Sequence, residues 1–181
     1  MKAKNIRRAV LLDRDGVINV ERKDYVKSWE EFVFLPGIGK AISRLNEAGY
    51  LVIVVTNQSC IGRGIISEKQ LEVIHEKMIA ELAKEGAIID AIYYCPHRPD
   101  EECDCRKPKM GLIVKAIDDL KFDREQSWLI GDSESDMIAG LKMGLKSVLV
   151  SETTKQMTIS GRPIPVFPDL LSCAEFILSK A

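Results

Sequence analysis

Short apolar runs alternate with stretches of helical periodicity along most of the 181-residue chain. The apolar runs are continuous rather than interleaved with polar residues, which is typical of strands buried on both faces of a parallel sheet. The pattern predicts strands at residues 9–12, 50–55, 91–94, 128–130 and 147–150.

Helical patterns fill the intervals between the predicted strands. Residues 67–70 have the Ser-Glu-Lys-Gln form of a capping box, and apolar side chains follow at helical spacing as far as Leu82. The other predicted helices cover residues 39–48, 112–120, 137–143 and 169–179. Residues 151–168 contain three prolines and predict a long surface loop with a short edge strand. The alternation predicts one α/β domain over residues 1–181, a doubly wound, Rossmann-like three-layer sandwich with a central parallel sheet.

Charge and hydropathy exclude several classes of protein. The net charge of −1 gives no reason to expect nucleic acid or an acidic membrane as a partner. The longest apolar run, residues 50–55, is too short to span a bilayer. Residues 1–8 are basic, but the apolar run behind them ends at Leu12, so we expect no signal peptide and a cytoplasmic protein. We expect a monomer that binds a small molecule.

Acidic residues follow two of the predicted strands, at the sheet edge where doubly wound proteins bind ligands. Asp13 and Asp15 follow the first strand, and Asp132 and Asp136 follow the fourth. Carboxylates gathered in one crevice repel one another unless a cation neutralises them, and Mg²⁺ prefers oxygen ligands. We therefore predict a Mg²⁺ site formed by Asp13, Asp132 and the backbone carbonyl of Asp15.

Hydroxyl and cationic side chains from other strand ends would complete a phosphoryl-binding site. Thr56 follows the second strand, and Arg106 and Lys107 lie between the third and the fourth. Donors of this kind beside a metal ion stabilise the charge on a transferring phosphoryl group. Asp13, held at the end of a strand, is the candidate nucleophile, and Asp15 is the candidate general acid and base.

Each of these motifs could, taken singly, be an ordinary solvated turn. Together and in this order they resemble the four motifs of the haloacid dehalogenase superfamily of phosphatases: Asp13-x-Asp15-Gly16, Thr56-Asn57-Gln58-Ser59, Arg106-Lys107-Pro108 and Gly131-Asp132-x3-Asp136. The resemblance implies that Asp13 is the nucleophile and Asp15 the acid and base. It also implies that Thr56 and Lys107 hold the phosphoryl group and that Asp132 binds Mg²⁺.

The resemblance also bears on substrate access. The chain between Asp15 and Thr56 is too short for the large helical cap of many relatives, so we expect a capless enzyme. An open site favours a phosphoryl group at the tip of an extended or bulky substrate. Asp136 matches the last acidic position of the family, where contact with the metal is direct in some members and indirect in others.

A loop at residues 95–105 carries potential ligands for a second metal: Cys95, His97, Cys103 and Cys105. Three thiolates and one imidazole fit a closed, tetrahedral, structural zinc site. A redox disulfide with a spare thiol is the alternative, but it leaves the histidine without a role. Zinc would order the loop that immediately precedes the two predicted phosphate-binding cations.

The cysteine loop narrows the resemblance to one branch of the superfamily. Its Cys-x-His and Cys-x-Cys-Arg-Lys-Pro sequences are similar to those of phosphatases that act on D-glycero-D-manno-heptose 1,7-bisphosphate or on histidinol phosphate. In that branch the segment after the first motif, and residues beside the later motifs, contact the substrate. The candidate substrate contacts here are Glu21, Asp24, Asn57, Gln58, Ser59, Arg106 and Ser133.

The resemblance implies a Mg²⁺-dependent phosphatase that works through an aspartyl-phosphate. Basic residues favour the 7-phosphate of the heptose bisphosphate over the cationic histidinol phosphate: Arg22, Lys23, Arg63, Arg106, Lys107 and Lys109. Departures from the usual branch sequence at residues 59–62 and 107–111 keep histidinol phosphate open as the alternative. A non-catalytic, zinc-stabilised interaction module is the rival from another class, although no catalytic group is missing. His75, beside Glu76 and Lys77, is expected at the surface.

Overall fold

The computed structural model describes residues 7–180, so most of the basic segment 1–8, on which the signal-peptide prediction depends, lies outside the described residues. A single 3-10 turn, Trp29–Glu31, lies between the first strand and the first helix. The helices and strands follow in the order β1 (Arg8–Leu12), α1 (Ile38–Glu47), β2 (Tyr50–Asn57), α2 (Glu68–Lys84), β3 (Ala91–Cys95), α3 (Gly111–Leu120), β4 (Trp128–Gly131), α4 (Glu134–Lys142), β5 (Lys146–Val150), β6 (Met157–Ile159), β7 (Arg162–Ile164), β8 (Val166–Phe167) and α5 (Leu170–Leu178).

The central sheet has six parallel strands in the order β3-β2-β1-β4-β5-β8. β1 lies in the middle of the sheet. β2 and β3 extend the sheet on one side of β1, and β4, β5 and β8 extend it on the other. Leu12 at the end of β1 pairs with Val54 on one side and Ile130 on the other. The strand order therefore reverses between β1 and β4, and a crevice opens there beyond the carboxyl ends of the strands.

Helices cover both faces of the sheet, because the strands are apolar on both sides. In β1, Val10 and Leu12 belong to the core under α1, α2 and α5, whereas Ala9 and Leu11 belong to the core under α3 and α4. All four side chains are fully buried. The predicted three-layer sandwich with a central parallel sheet is therefore confirmed. None of the helices within residues 7–180 is long and apolar enough to cross a membrane.

The segment 151–168 is more ordered than the sequence predicts. Its last part forms the expected edge strand, β8, which pairs with β5. Before it, β6 and β7 form an antiparallel hairpin that the sequence pattern missed. Ser160 and Gly161 connect them with φ angles of 49° and 76°, as a tight two-residue hairpin turn requires. Strands of three residues are too short to show a periodicity.

Candidate active site

The loop that carries the first of the four predicted motifs is a compact turn directly after β1. The backbone N–H of Asp13 continues the sheet by donating to the carbonyl of Ile130 at 2.9 Å. The Arg14 carbonyl then accepts from three successive backbone N–H groups, including that of Ile18 at 2.7 Å. Gly16 lies in this turn with a φ of +81°, a conformation that glycine adopts without strain. The turn fixes the two acidic side chains at the crevice between β1 and β4.

Gly16 also lies against Asp132, the acidic residue that follows β4. A Cβ atom at this position would come within 2.0 Å of Asp132 Oδ2. We expect Gly16→Ala to cost about 2–3 kcal/mol of stability, because it adds backbone strain to a steric clash. Displacement of Asp132 should also disturb the predicted Mg²⁺ site and so lower the predicted phosphatase activity.

Gly49 provides a matched control for that substitution. Its φ is +82°, but apart from its chain neighbours no other atom of residues 7–180 lies within 4 Å of the point that a Cβ atom would occupy. Gly49→Ala should therefore cost only about 1–2 kcal/mol for the left-handed backbone and leave activity unchanged. Urea unfolding and Mg²⁺ titration of activity measure both effects. Equal activity losses in the two variants would contradict the role given to the close approach.

A cluster of carboxylates forms the floor of the crevice. Oxygen atoms of Asp13, Asp132 and Asp136 all lie within 4.8 Å of one another. The pKa of Asp13 is raised to about 6, chiefly by burial and also by the charges of Asp136 and Asp15, against the opposing charge of Lys107. Burial, followed by the charges of Asp13 and Asp136, raises the pKa of Asp132 to about 7. The donor set and its mutual repulsion fit a divalent cation with oxygen ligands.

Lys107 lies beneath this cluster, and its side chain is almost entirely buried. Its Nζ atom is 3.1 Å from Asp13 Oδ1 and 2.5 Å from Asp136 Oδ1. It also donates to the Val55 carbonyl at 2.7 Å. Burial alone would lower the pKa of Lys107, but the charges of Asp13 and Asp136 raise it well above its usual range. Lys107 is therefore a fixed positive charge beside the candidate nucleophile.

The backbone of Lys107 is held by Asn57, at the end of β2. The Asn57 side chain accepts from the Lys107 N–H at 3.1 Å and donates to the Lys107 carbonyl at 3.2 Å. The Asn57 side chain thus makes two hydrogen bonds to the backbone of Lys107, as a neighbouring strand would, and these connect the end of β2 to the loop. Asn57 lines the crevice, but its side-chain amide is hydrogen-bonded to the backbone of Lys107, and its predicted contact with the substrate stays a prediction.

Thr56 and Gln58 connect β2 to the second acidic residue. The Gln58 amide nitrogen donates to Asp15 Oδ2 at 2.8 Å and to Thr56 Oγ1 at 2.9 Å. Both side chains are buried. Ser59, the next predicted contact, has its hydroxyl 3.3 Å from that of Tyr25, whose φ is +66°. These contacts attach the loop after β2 to the segment that follows the first motif.

Asp15 is held by an arginine that the sequence analysis left without a role. Arg14 Nη2 donates to both carboxylate oxygens of Asp15 at 2.9 Å, and Asn19 donates to Oδ1 at 2.9 Å. Burial would raise the pKa of Asp15, but the Arg14 charge and these hydrogen bonds hold it below its usual value. On its other side Arg14 meets His75 of α2. His75 is buried, so the prediction of a surface position was wrong.

A cavity of about 530 Å³ opens above these groups. Its lining contains most of the predicted catalytic and substrate-binding residues: Asp13, Asp15, Glu21, Thr56, Asn57, Gln58, Ser59, Arg106, Asp132 and Ser133. Asp24 is not among the lining residues, and its exposed side chain pairs with Arg22 and Lys27. The basic residues of the lining that carry no assigned catalytic role are Arg22, Lys23 and Arg106, along with the buried Arg14.

Asp136 and Ser133 form the N-terminal cap of α4. Ser133 contributes its backbone N–H at 3.2 Å and its hydroxyl at 2.5 Å to Asp136 Oδ2. The helix consequently begins at Glu134, three residues before the predicted start. One oxygen of Asp136 accepts hydrogen bonds from this cap, and the other lies against Lys107. Asp136 therefore connects the start of α4 to the lysine that lies beside Asp13.

The second candidate metal centre lies at the end of β3, in the loop 95–105. Its four ligand atoms lie within 4.8 Å of one another: Cys95 Sγ, His97 Nδ1, Cys103 Sγ and Cys105 Sγ. The Sγ–Sγ distances of 3.1 and 3.7 Å from Cys95 are too long for a disulfide bond, and all five cysteines of the described chain are free. The distance of 3.7 Å between Cys95 and Cys103 equals the separation of about 3.7 Å between thiolates that share a tetrahedral zinc, and the distance between Cys95 and Cys105 is shorter. The donor set fits structural zinc.

This fold and crevice define a hydrolase of the haloacid dehalogenase type, in which a strand-end aspartate lies over a buried lysine. The HAD-hydrolase-like family profile matches residues 104–173. A D-glycero-β-D-manno-heptose-1,7-bisphosphate 7-phosphatase from Haemophilus ducreyi is 42% identical over 162 residues, which cover 86% of this chain and 88% of that protein. The protein of the same name from Pseudomonas aeruginosa is 39% identical over 176 residues, 95% of this chain and 98% of its own.

A solved structure extends the similarity to three dimensions. The D,D-heptose 1,7-bisphosphate phosphatase from B. bronchiseptica, crystallised with magnesium and phosphate, superposes with a TM-score of 0.86 at 36% identity. The match covers 96% of this chain and 99% of that one. The chain belongs to the D-glycero-β-D-manno-heptose-1,7-bisphosphate 7-phosphatase family of HAD-like hydrolases.

Proposed function

We propose that residues 1–181 form a single phosphatase domain that removes the 7-phosphate of D-glycero-D-manno-heptose 1,7-bisphosphate in a Mg²⁺-dependent reaction. The observation that carries this proposal is the position of Asp13. It ends the central strand at the floor of an open cavity, 3.1 Å from a buried lysine and two residues before a second carboxylate. The relatives that share about 40% of its sequence carry the name of this activity.

The first half of the reaction transfers the phosphoryl group to the protein. A carboxylate oxygen of Asp13 attacks phosphorus, and the bond to the sugar oxygen breaks. Asp15 gives a proton to the leaving alkoxide. Lys107 and the Thr56 hydroxyl hold the phosphoryl oxygens, so the charge that develops there meets preorganised donors.

The second half regenerates the nucleophile. Asp15, now ionised, takes a proton from a water molecule, and the water attacks the phosphorus of the aspartyl-phosphate. Phosphate leaves, and Asp13 becomes a carboxylate again. Arg14, Asn19 and Gln58 stabilise the ionised form of Asp15 with which this half begins, and the proton taken from water restores the acid for the next turnover.

Asp13, Asp132 and the backbone carbonyl of Asp15 would hold Mg²⁺. When bound, the ion would neutralise charge on the carboxylates and on the phosphoryl group. Asp136 would act through Lys107 and the α4 cap, since its oxygens face those groups. The three cysteines and His97 would hold Zn²⁺, which would fix the loop that leads into Arg106 and Lys107.

The walls of the cavity favour a substrate with a second phosphate. Arg22, Lys23 and Arg106 reach its lining, whereas Arg63 and Lys109 lie outside it. Apart from Asp13, Asp15 and Asp132, the acidic residue of the lining is Glu21. The names of the relatives specify the β anomer, and we expect the same preference here. A monomer in the cytoplasm remains our prediction.

Initial phosphate release with Mg²⁺ tests the proposed substrate. The panel contains both anomers of the heptose bisphosphate, histidinol phosphate and fructose 1,6-bisphosphate. We expect the highest kcat/KM for the β heptose bisphosphate, with release of one phosphate per molecule, and loss of activity when EDTA removes the metal. Preference for histidinol phosphate would overturn the substrate. Failure of the folded, zinc-loaded protein on the whole panel would overturn the phosphatase itself and favour a non-catalytic module.

A further inference from the structure

Arg14 is a buried cation at the centre of the active-site loop. Its side chain is 1% exposed, and Nη2 donates to both oxygens of Asp15. Its guanidinium carbon lies 5.9 Å from the centre of the Phe32 ring. Nε has no hydrogen-bond partner among residues 7–180. The direction of the guanidinium plane therefore depends on the groups that meet its two terminal nitrogens.

His75 meets the second of those nitrogens from the opposite side. It lies in the buried face of α2, and its Nε2 atom is 3.2 Å from Arg14 Nη1. Its ring is 6.1 Å from that of Tyr94, in an edge-on arrangement. Arg14 can only donate, so Nε2 must accept and the ring proton must be on Nδ1. Burial, followed by the Arg14 charge, lowers the pKa of His75 to about 3, which keeps the ring neutral.

We propose that His75 is a positioning residue for proton transfer by Asp15. Asp15 and His75 hold opposite ends of one planar guanidinium, so removal of the acceptor at Nη1 leaves a buried N–H unpaired. The guanidinium would then turn toward another acceptor and carry Nη2 away from Asp15. The helix α2 would in this way set the orientation of a carboxylate at the end of β1. This inference rests on the proposed phosphatase reaction.

The role can be tested through the leaving group. A sugar alkoxide needs a proton from Asp15, whereas p-nitrophenolate leaves without one. We expect His75→Phe, which keeps the ring shape but has no acceptor, to lower kcat/KM for the sugar phosphate about tenfold, a part of the 10²–10⁴-fold that acid catalysis supplies. For p-nitrophenyl phosphate we expect a change of less than about threefold, since proton transfer contributes little to its cleavage. His75→Gln, which can place an oxygen near the Nε2 position, should recover most of the loss.

Met78→Ala is the matched structural control, because Met78 is a fully buried residue of the same helix and belongs to the core under α1 and α5. It should lower Tm and affect the two substrates equally. An equal loss on both substrates in His75→Phe, or no loss on either, would overturn the proposal.

A measurement without turnover separates this proposal from the proposed function. In ¹⁵N NMR spectra of the wild type, we expect the Nδ1-protonated form of His75 and restricted rotation of the Arg14 guanidinium. His75→Phe should release that rotation while Met78→Ala retains it. Free rotation in the wild type would contradict the positioning role. An inactive wild type with restricted rotation would contradict only the phosphatase reaction.

Discussion

Asp13→Asn should reduce hydrolysis by about 10⁴-fold or more, the scale on which loss of a catalytic nucleophile acts. An amide oxygen is a poor nucleophile toward phosphorus, and the covalent intermediate cannot form on it. The residual rate would come from binding and charge stabilisation alone. Initial phosphate release on the preferred substrate measures the effect, and acid quenching followed by mass spectrometry detects the phosphorylated protein in the wild type only.

The same substitution should leave the fold intact. Burial, together with repulsion by Asp136 and Asp15, disfavours the Asp13 carboxylate by more than the charge of Lys107 favours it, so a neutral group of the same size should be tolerated in the metal-free protein. Lys107 keeps Asp136 as its partner at 2.5 Å. We therefore expect an unchanged or slightly higher Tm without Mg²⁺. Asp118→Asn, on the exposed side of α3, is the control and should retain full activity. Turnover retained in Asp13→Asn would exclude Asp13 as the nucleophile.

Cys103→Ser should remove zinc and stability together. Structural zinc contributes binding free energy to folding, so loss of one thiolate should cost about 3 kcal/mol, or about 10 °C in Tm for a domain of this size. Cys103 is the informative ligand because it is partly exposed, whereas Cys95 is fully buried in the core. Activity should fall as well, since Arg106 Nη1 contacts the His97 carbonyl at 3.4 Å within the same loop.

Cys173→Ser is the control that distinguishes the effect of losing zinc from the effect of losing a cysteine side chain. Cys173 is fully buried in α5, far along the chain from the zinc loop, so its loss should lower Tm through packing alone. Zinc content by atomic absorption and Tm by calorimetry are measured for both variants. Unchanged zinc in Cys103→Ser, or equal zinc loss in both, would contradict the proposed ligand set.

The sheet could be predicted from the sequence because its strands are continuous apolar runs bounded by turn residues. The predicted bounds of β1 to β5 agree with the structure to within two residues. The hairpin of β6 and β7 was missed because each strand has three residues and one of them contains Pro163. The sequence did contain one indication of the hairpin, the Ser160-Gly161 pair, which favours a tight turn.

Site residues that directly follow a predicted strand could be predicted from the sequence. A contact between side chains of two different elements was harder to predict. Asp13 and Asp132 follow apolar runs directly, so parallel pairing alone brings them together. The contact between Arg14 and His75 depends on tertiary packing, but a signal was present. His75 lies four residues after Leu71 and three before Met78, within the apolar stripe of α2, and Arg14 continues the alternation of Val10 and Leu12.

For Asp24 the sequence contained no indication of where the side chain lies. It lies in an exposed segment between β1 and α1, where the sequence indicates only that the residue is polar. Its side chain pairs with Arg22 and Lys27 and is not among the side chains that line the cavity. The direction of a charged side chain in a solvated segment is decided by ion pairs with its neighbours, and each of these contributes little free energy. Residue order carries little information about such pairings.

The central position of β1 has a consequence for the order in which the protein is made. The N–H of Ala9 donates to the hydroxyl of Ser127 at 2.8 Å, across 118 residues of chain. During synthesis the strand that carries the nucleophile emerges early and pairs with β2, but its other edge must wait for β4. Until then that edge is open to pairing with foreign strands. The crevice between β1 and β4 therefore forms only after β4 has been synthesised, and a nascent chain that ends before β4 has no working active site.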